Sequence, residues 1–172
     1  GDNSNGLMGD RFVSEPSQWN DTDSDGYGDN SDGLLPDSCP NVAGFSNEDR
    51  FGCIDNDLDY YSDPDDGWSI EDGADALPSD GTQWNDMDGD GFGDNPSPAN
   101  KPDSCPLVPG NSSKEVRIDG MIIEKYGCLD TDGDSYDDAS DEFPTDPTEW
   151  YDSDGDGVGA NLDYDDTESL II

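Results

Sequence analysis

The chain contains no histidine, six basic residues in all, and few of the side chains from which apolar cores are built. Without histidine, imidazole-based acid–base chemistry and the usual His-containing zinc sites are excluded. Six Lys and Arg against 45 Asp and Glu leave a net charge of -39, a sign that repels nucleic acid and anionic lipid. Leu, Ile, Val and Phe number 26 of 172 residues. That is below the roughly 20% under which a highly charged chain is expected to be disordered. No run of 18 apolar residues occurs, so no helix here is expected to span a membrane. A sustained 3.6-residue period is also missing, and frequent Pro and Gly would end any helix early.

What the chain does have is aspartate at fixed intervals. In Asp152-Ser-Asp154-Gly-Asp156-Gly-Val158-Gly-Ala160-Asn-Leu-Asp163, carboxylates stand at positions 1, 3, 5 and 12, with glycine at 6. An acidic loop wraps a calcium ion in this order: side chains from 1, 3 and 5, a carbonyl from 7 and an acid at 12. The frame recurs four more times. Asp21, Asp23, Asp25, Asp29 and Asp32 fill positions 1, 3, 5, 9 and 12 of one loop; Asp55, Asp57, Asp59, Asp63 and Asp66 do so in the next. Asp130, Asp132, Asp134, Asp138 and Asp141 form a third complete set. The loop of Asp86, Asp88, Asp90 and Asp94 ends in Ser97, and the last loop has Ala160 at position 9. Both are expected to bind more weakly or to borrow a neighbouring carboxylate such as Asp103 or Asp165. Calcium suits these clusters, since it takes six to eight oxygens at flexible geometry, whereas magnesium demands a tight octahedron and keeps its waters. Without metal, carboxylates about 4 Å apart repel by roughly 1–4 kcal/mol per pair, and the chain should lose its order.

The loops belong to a longer repeat. Trp19, Trp84 and Trp150 lie 65 and 66 residues apart and end three gapless segments, Phe12 to Trp19, Leu77 to Trp84 and Phe143 to Trp150. Each tryptophan precedes an acidic loop by two residues. Between Trp-preceded loops lie Pro36-Asp-Ser-Cys39-Pro and Pro102-Asp-Ser-Cys105-Pro, each closed by a second cysteine, Cys53 or Cys128, two residues before another loop. The repeat divides the chain into a first unit at 1–76, a second at 77–142 and a partial third at 143–172, the first entered through the tail of an incomplete motif (Asn5-Gly6 to Asp10). Four cysteines allow three connectivities. The repeat favours the local one, Cys39–Cys53 and Cys105–Cys128, and closing a loop of about 15 residues is worth roughly 3 kcal/mol. Disulfides point to an oxidising, exported location.

Two inserts interrupt the regularity. One follows Asp66 and includes Trp68, with Asp72 and Asp75 again in the frame of positions 9 and 12, so that the metal loop is bent, bulged or doubled there. The other, residues 114–125, places Asp119-Gly120 between two β-prone runs and predicts a two-stranded hairpin. The remainder is expected to be loop. Tryptophans and Phe12, Leu77 and Phe143 are expected to form small satellite cores between loops. Asn20 and Asn111 begin glycosylation sequons; Asn20 abuts a metal ligand, which leaves Asn111.

The Asp-x-Asp-x-Asp-Gly-x-x-Asp-x-x-Asp loops, the Asp-Ser-Cys-Pro linkers and the Phe-Gly-Cys-Ile-Asp and Tyr-Gly-Cys-Leu-Asp junctions resemble thrombospondin type 3 repeats, most closely the microbial, secreted or surface-anchored forms. The resemblance covers nearly the whole chain apart from the two inserts. It implies a mostly irregular, calcium-stabilised tandem array wrapped around a string of ions, with a small β-hairpin insertion. It further implies side-chain ligands at positions 1, 3, 5, 9 and 12 and carbonyl ligands from Tyr27, Tyr61, Phe92, Tyr136 and Val158. EF-hand and dockerin loops fit locally, but both need flanking helices and usually Glu at position 12.

These readings lead to an extracellular structural module: a calcium-rigidified stalk, a fibre or filament subunit, or an adhesin segment. The alternative is a specific adhesion or carbohydrate-binding module using Trp68 or the 115–125 hairpin. An enzyme, such as a two-carboxylate glycosidase, has no acid cluster left over from metal binding to stand on. The start at Gly1, without methionine or signal peptide, suggests a mature product or an excised fragment. The ragged ends and apolar Leu170-Ile171-Ile172 are consistent with a covalent array or with head-to-tail self-association.

Overall fold

A computed structural model of the protein describes residues 11–118 and 121–164. Among these there is no α-helix; the regular elements are a 3-10 turn at Ile70–Asp72 and two strands, β1 (Ser113–Ile118) and β2 (Met121–Tyr126). The strands pair antiparallel from Ser113 opposite Tyr126 to Ile118 opposite Met121. This is the expected hairpin; its Asp119-Gly120 pair lies outside the described residues, as do Asn5 to Asp10, Asp165 and Leu170 to Ile172. The mostly irregular architecture follows from composition, because aspartate and glycine favour turns over ladders.

The interior is polar. Among the described residues Cys53, Ala74 and Cys128 are the buried apolar ones, whereas Gln18, Gln83, Glu149 and eight aspartates are buried. Apolar burial of this size cannot offset chain entropy. Backbone and side-chain hydrogen bonds, two disulfides and ring stacks hold the described fold. Both disulfides are the local ones, Cys39–Cys53 and Cys105–Cys128, each with Cα atoms 5.1 Å apart.

The chain forms two compact units, Gly1–Asn85 and Asp86–Ile172. In the first, Gln18 serves as a polar plug: its amide donates to the carbonyls of Asn30 and Leu34 and accepts from the Asn30 N–H. Tyr27 packs on Phe51 at 5.7 Å, and Tyr61 stacks on Trp84 at 5.0 Å, nearly parallel. The insert after Asp66 folds back on its own unit. There the Trp68 indole N–H donates to Asp49, and Arg50 lies over its ring while bonding Asp65 and Ser62.

The second unit repeats the scheme. Phe92 stacks on Tyr126 at 5.9 Å and Tyr136 on Trp150 at 5.2 Å. The hairpin is fastened at its base: the Ser113 and Lys114 N–H groups donate to the Ser135 carbonyl. The Lys114 ammonium donates to the Asp134 carbonyl and sits 4.5 Å above the Tyr136 ring.

Candidate metal centres

In all five loops the carboxylates at positions 1, 3 and 5 converge, with one oxygen from each lying within 4.8 Å of the others. The sequence explains why. The first aspartate turns the chain by accepting from the N–H of position 4, at 2.6–2.8 Å in every loop (Ser24 to Asp21, Leu58 to Asp55, Gly89 to Asp86, Gly133 to Asp130, Gly155 to Asp152). The fifth accepts from the N–H of position 7, supplied by Tyr27, Tyr61, Phe92, Tyr136 and Val158. One oxygen of Asp25, Asp59, Asp90, Asp134 and Asp156 is thereby fixed to the loop; the other accepts from the Gly44 N–H in Asp25 and from the Gly110 N–H in Asp90, and is buried without a donor in Asp59 and Asp134. Position 6 has positive φ throughout, occupied by glycine in three loops but by Tyr60 (φ 82) and Ser135 (φ 86) in the Cys-preceded ones. Those two residues carry a strain of roughly 1–2 kcal/mol that glycine would not.

Position 9 braces the loop. Asp29, Asp63, Asp94 and Asp138 each accept from the N–H of position 2, clamping the loop across its width. In Asp29, Asp63 and Asp138 the second oxygen is also engaged, by Thr22, Asn56 and Thr131 side chains respectively. Burial works against the Asp29 charge, but the Thr22 and Asn20 donors hold its carboxyl below the usual range. Ala160 lacks this clamp, yet its N–H still donates to the Tyr151 carbonyl, as Asp29 and Asp63 do to Asn20 and Ile54.

A fourth carboxylate stands near enough to each triplet to feel its charge, and one hydrogen bond identifies it. The carbonyl of position 8 accepts from the N–H of Asp37 (at Gly28), Asp75 (at Ser62), Asp103 (at Gly93), Asp141 (at Asp137) and Asp163 (at Gly159), all at 2.8–3.0 Å. The first four each accept one further bond at Oδ1 from the N–H two residues on, in Cys39, Leu77, Cys105 and Phe143. Their Oδ2 atoms are buried and have no donor. Burial pushes Asp37 and Asp103 up to about 6 and Asp75 up to about 7, and the charges of the position 3 and 5 aspartates add to the effect. Asp59 is raised to about 6 and Asp141 is raised, again chiefly by burial.

Only two of these closing acids, Asp141 and Asp163, stand at position 12. Asp32 and Asp66, which do occupy that position, are exposed. Asp72 is likewise turned outward: its carboxylate accepts from the Ser69 N–H and hydroxyl. Asp103, the neighbour expected to stand in for Ser97, does close its loop. Asp37 was not anticipated.

Further buried oxygens without donors cluster in the same places: Asp23 in the first loop, Asp57 and Asp59 in the second, Asp88 in the third, Asp132 and Asp134 in the fourth. Buried acceptors of this kind, aimed together and unserved by any N–H or O–H, call for a cation. Three converging carboxylates with a fourth nearby, and no sulfur or imidazole donor, form an all-oxygen set of the type a hard divalent ion takes. Of the two sequons, Asn20 is tied to Thr22 and Asp29 through its amide, and Asn111 is exposed. No helix among the described residues is long and apolar enough to cross a membrane. The chain matches no family model and has no significant match among curated proteins.

Proposed function

We propose that the chain is an extracellular calcium-binding structural module of the thrombospondin type 3 kind, with at least one ion in each acidic loop. Calcium makes it a rigid stalk, a fibre or filament subunit, or a segment of an adhesin. The observation that carries this reading is the closing acid. Five triplets of aspartate each have a fourth carboxylate brought near through the same backbone bond, and those of Asp37, Asp75, Asp103 and Asp141 carry a buried oxygen without a donor. Calcium is preferred to magnesium because the shell is rich in carboxylates and irregular. The paired cysteines support an oxidising, exported setting, where calcium is millimolar. Carbonyls of Tyr27, Tyr61, Phe92, Tyr136 and Val158 are the natural fifth ligands.

Ion binding to the folded state alone is folding free energy. X-ray scattering in millimolar calcium and after chelation tests the proposal. Chelation should move the radius of gyration toward the ~44 Å expected of an unfolded chain of this length. An unchanged scattering profile would sink it.

A further inference from the structure

We propose that each disulfide is a redox-sensitive control on one metal site: reduction weakens the loops that begin at Asp21 and Asp86 and spares the other three. The inference rests on the calcium reading above. Asp37, the closing acid of the first loop, lies two residues before Cys39, whose N–H holds its Oδ1 at 2.7 Å. The other half-cystine, Cys53, follows Gly52 (φ 74), and a Cβ on Gly52 would lie 2.5 Å from Asp37 Oδ1 and 2.9 Å from Asp25 Oδ2. The backbone at Gly52 is therefore the floor on which two carboxylates of this site rest. The Cys39–Cys53 bond ties that floor to the segment bearing Asp37, and a bond from the Ser38 N–H to the Phe51 carbonyl runs alongside it.

The second unit repeats each part. Cys105 N–H holds Asp103 Oδ1 at 2.7 Å, Asp103 and Asp90 lie over Gly127 (φ 72), and Ser104 donates to the Tyr126 carbonyl. The remaining closing acids have no such tie. Asp75 and Asp141 are held by the N–H groups of Leu77 and Phe143, which occupy the place of the cysteine. Asp163 is held through the Gly159 carbonyl.

Reduction by a dithiol transfers two electrons and two protons to each disulfide; the bond opens to two thiols, and the dithiol leaves as its cyclic disulfide. Asp37 and Asp103 then lose their covalent tie to the Gly52 and Gly127 backbone and keep the weaker Ser38–Phe51 and Ser104–Tyr126 hydrogen bonds. Loss of such a supporting contact lowers metal affinity by roughly ten- to a hundredfold.

Calorimetric titration with calcium tests this on the oxidised chain and on the chain reduced and alkylated. Two of five sites should weaken and three should keep their affinity. An Asp37→Asn, Asp103→Asn chain with both disulfides intact should show the same two weakened sites, and its reduction should change nothing further. With Asp75→Asn, by contrast, reduction should still weaken two other sites. Equal affinities in the oxidised and reduced chains, or a fall at all five sites together, would overturn the proposal. Absence of calcium binding in the oxidised chain would overturn the calcium reading itself, and this inference with it.

Discussion

The loops beginning at Asp55 and Asp130 both start two residues after a disulfide-bonded cysteine, and they share a hydrogen-bond scheme almost atom for atom. Position 1 accepts from positions 4 and 6, position 5 from position 7, and the position 8 carbonyl from the closing acid. Yet the first reaches its closing acid thirteen residues after Ser62, at Asp75, and the second only four after Asp137, at Asp141. The endpoints are the same and the path is not. A site of this kind is defined by the bonds at its two ends, and the chain between them is free to lengthen, because closure entropy grows only slowly with length. The longer path also folds back on itself, through Trp68, Arg50 and Asp49.

The comparison breaks most sharply at the closing acid. Asp75→Asn should disable the second loop as Asp141→Asn disables the fourth, each lowering calcium affinity at one site by roughly a hundredfold or more, beyond the effect of an outer-shell change. Asp66→Asn, at the position the twelve-residue frame selects, should change affinity less than about twofold. Calcium titration of the three variants decides it. Loss at Asp66 with retention at Asp75 would restore the twelve-residue frame.

That frame shows how far the sequence could be read. Converging triplets, the local disulfides and the hairpin follow from spacing and repeat, and each is present in the structure; the described residues hold no α-helix, as frequent Pro and Gly predict. The closing acids of the first three loops lie nine, thirteen and ten residues beyond position 8; spacing reaches Asp75 only through a bent or doubled frame and Asp103 only as a neighbour, and it misses Asp37. A signal for them did exist. Asp37-Ser-Cys-Pro, Asp75-Ala-Leu-Pro, Asp103-Ser-Cys-Pro and Asp141-Glu-Phe-Pro share one pattern, an aspartate two residues before a cysteine or large apolar residue that precedes proline. In this pattern the aspartate caps its own turn, and the cysteine or apolar residue anchors it. The bracing role of position 9 was illegible for another reason: a carboxylate that ligates and one that accepts from an N–H look alike in a sequence.

Protons offer a gentler way to separate the two loops. In the metal-free fold, burial raises Asp75 to about 7 and Asp59 to about 6, while in the fourth loop Asp141 is raised as well. A carboxyl raised above its unfolded value of 3.8 contributes stability that is complete below that value and is lost as pH rises through the folded one. The calcium-free chain should therefore loosen between about pH 4 and 7 as pH rises, the reverse of ordinary acid denaturation. Calcium displaces those protons, so binding at the Asp75 site should release about one proton or more at pH 6, and binding to the whole chain close to none at pH 8.5. Calorimetry in buffers of different ionisation enthalpy counts them. The Asp141→Asn chain, which retains the Asp75 site, should release more per ion than the Asp75→Asn chain. Equal proton release would mean that the two sites are not distinguished by burial.

The smallest effect tests the lesson of the comparison most directly. Residues 63–74 can be replaced by Asp-Ala-Ser, the three residues that join Asp137 to Asp141, so that Asp75 follows Ser62 at the spacing of the fourth loop. Shortening the path from thirteen residues to four lowers the closure cost by about 1 kcal/mol, or about fivefold in affinity. The change also removes the Trp68–Asp49 bond and the contacts of Arg50 with Trp68 and Asp65, which stiffen the longer path before the ion arrives. Asp63 is retained in kind, since the new segment opens with aspartate at position 9 and can clamp Asn56 as before. The two terms oppose one another, so the site should survive with affinity within a few-fold of its original value. Loss of the site on titration, with scattering still showing a compact chain in calcium, would mean that the excursion itself supplies a ligand and that the two loops are alike only at their ends.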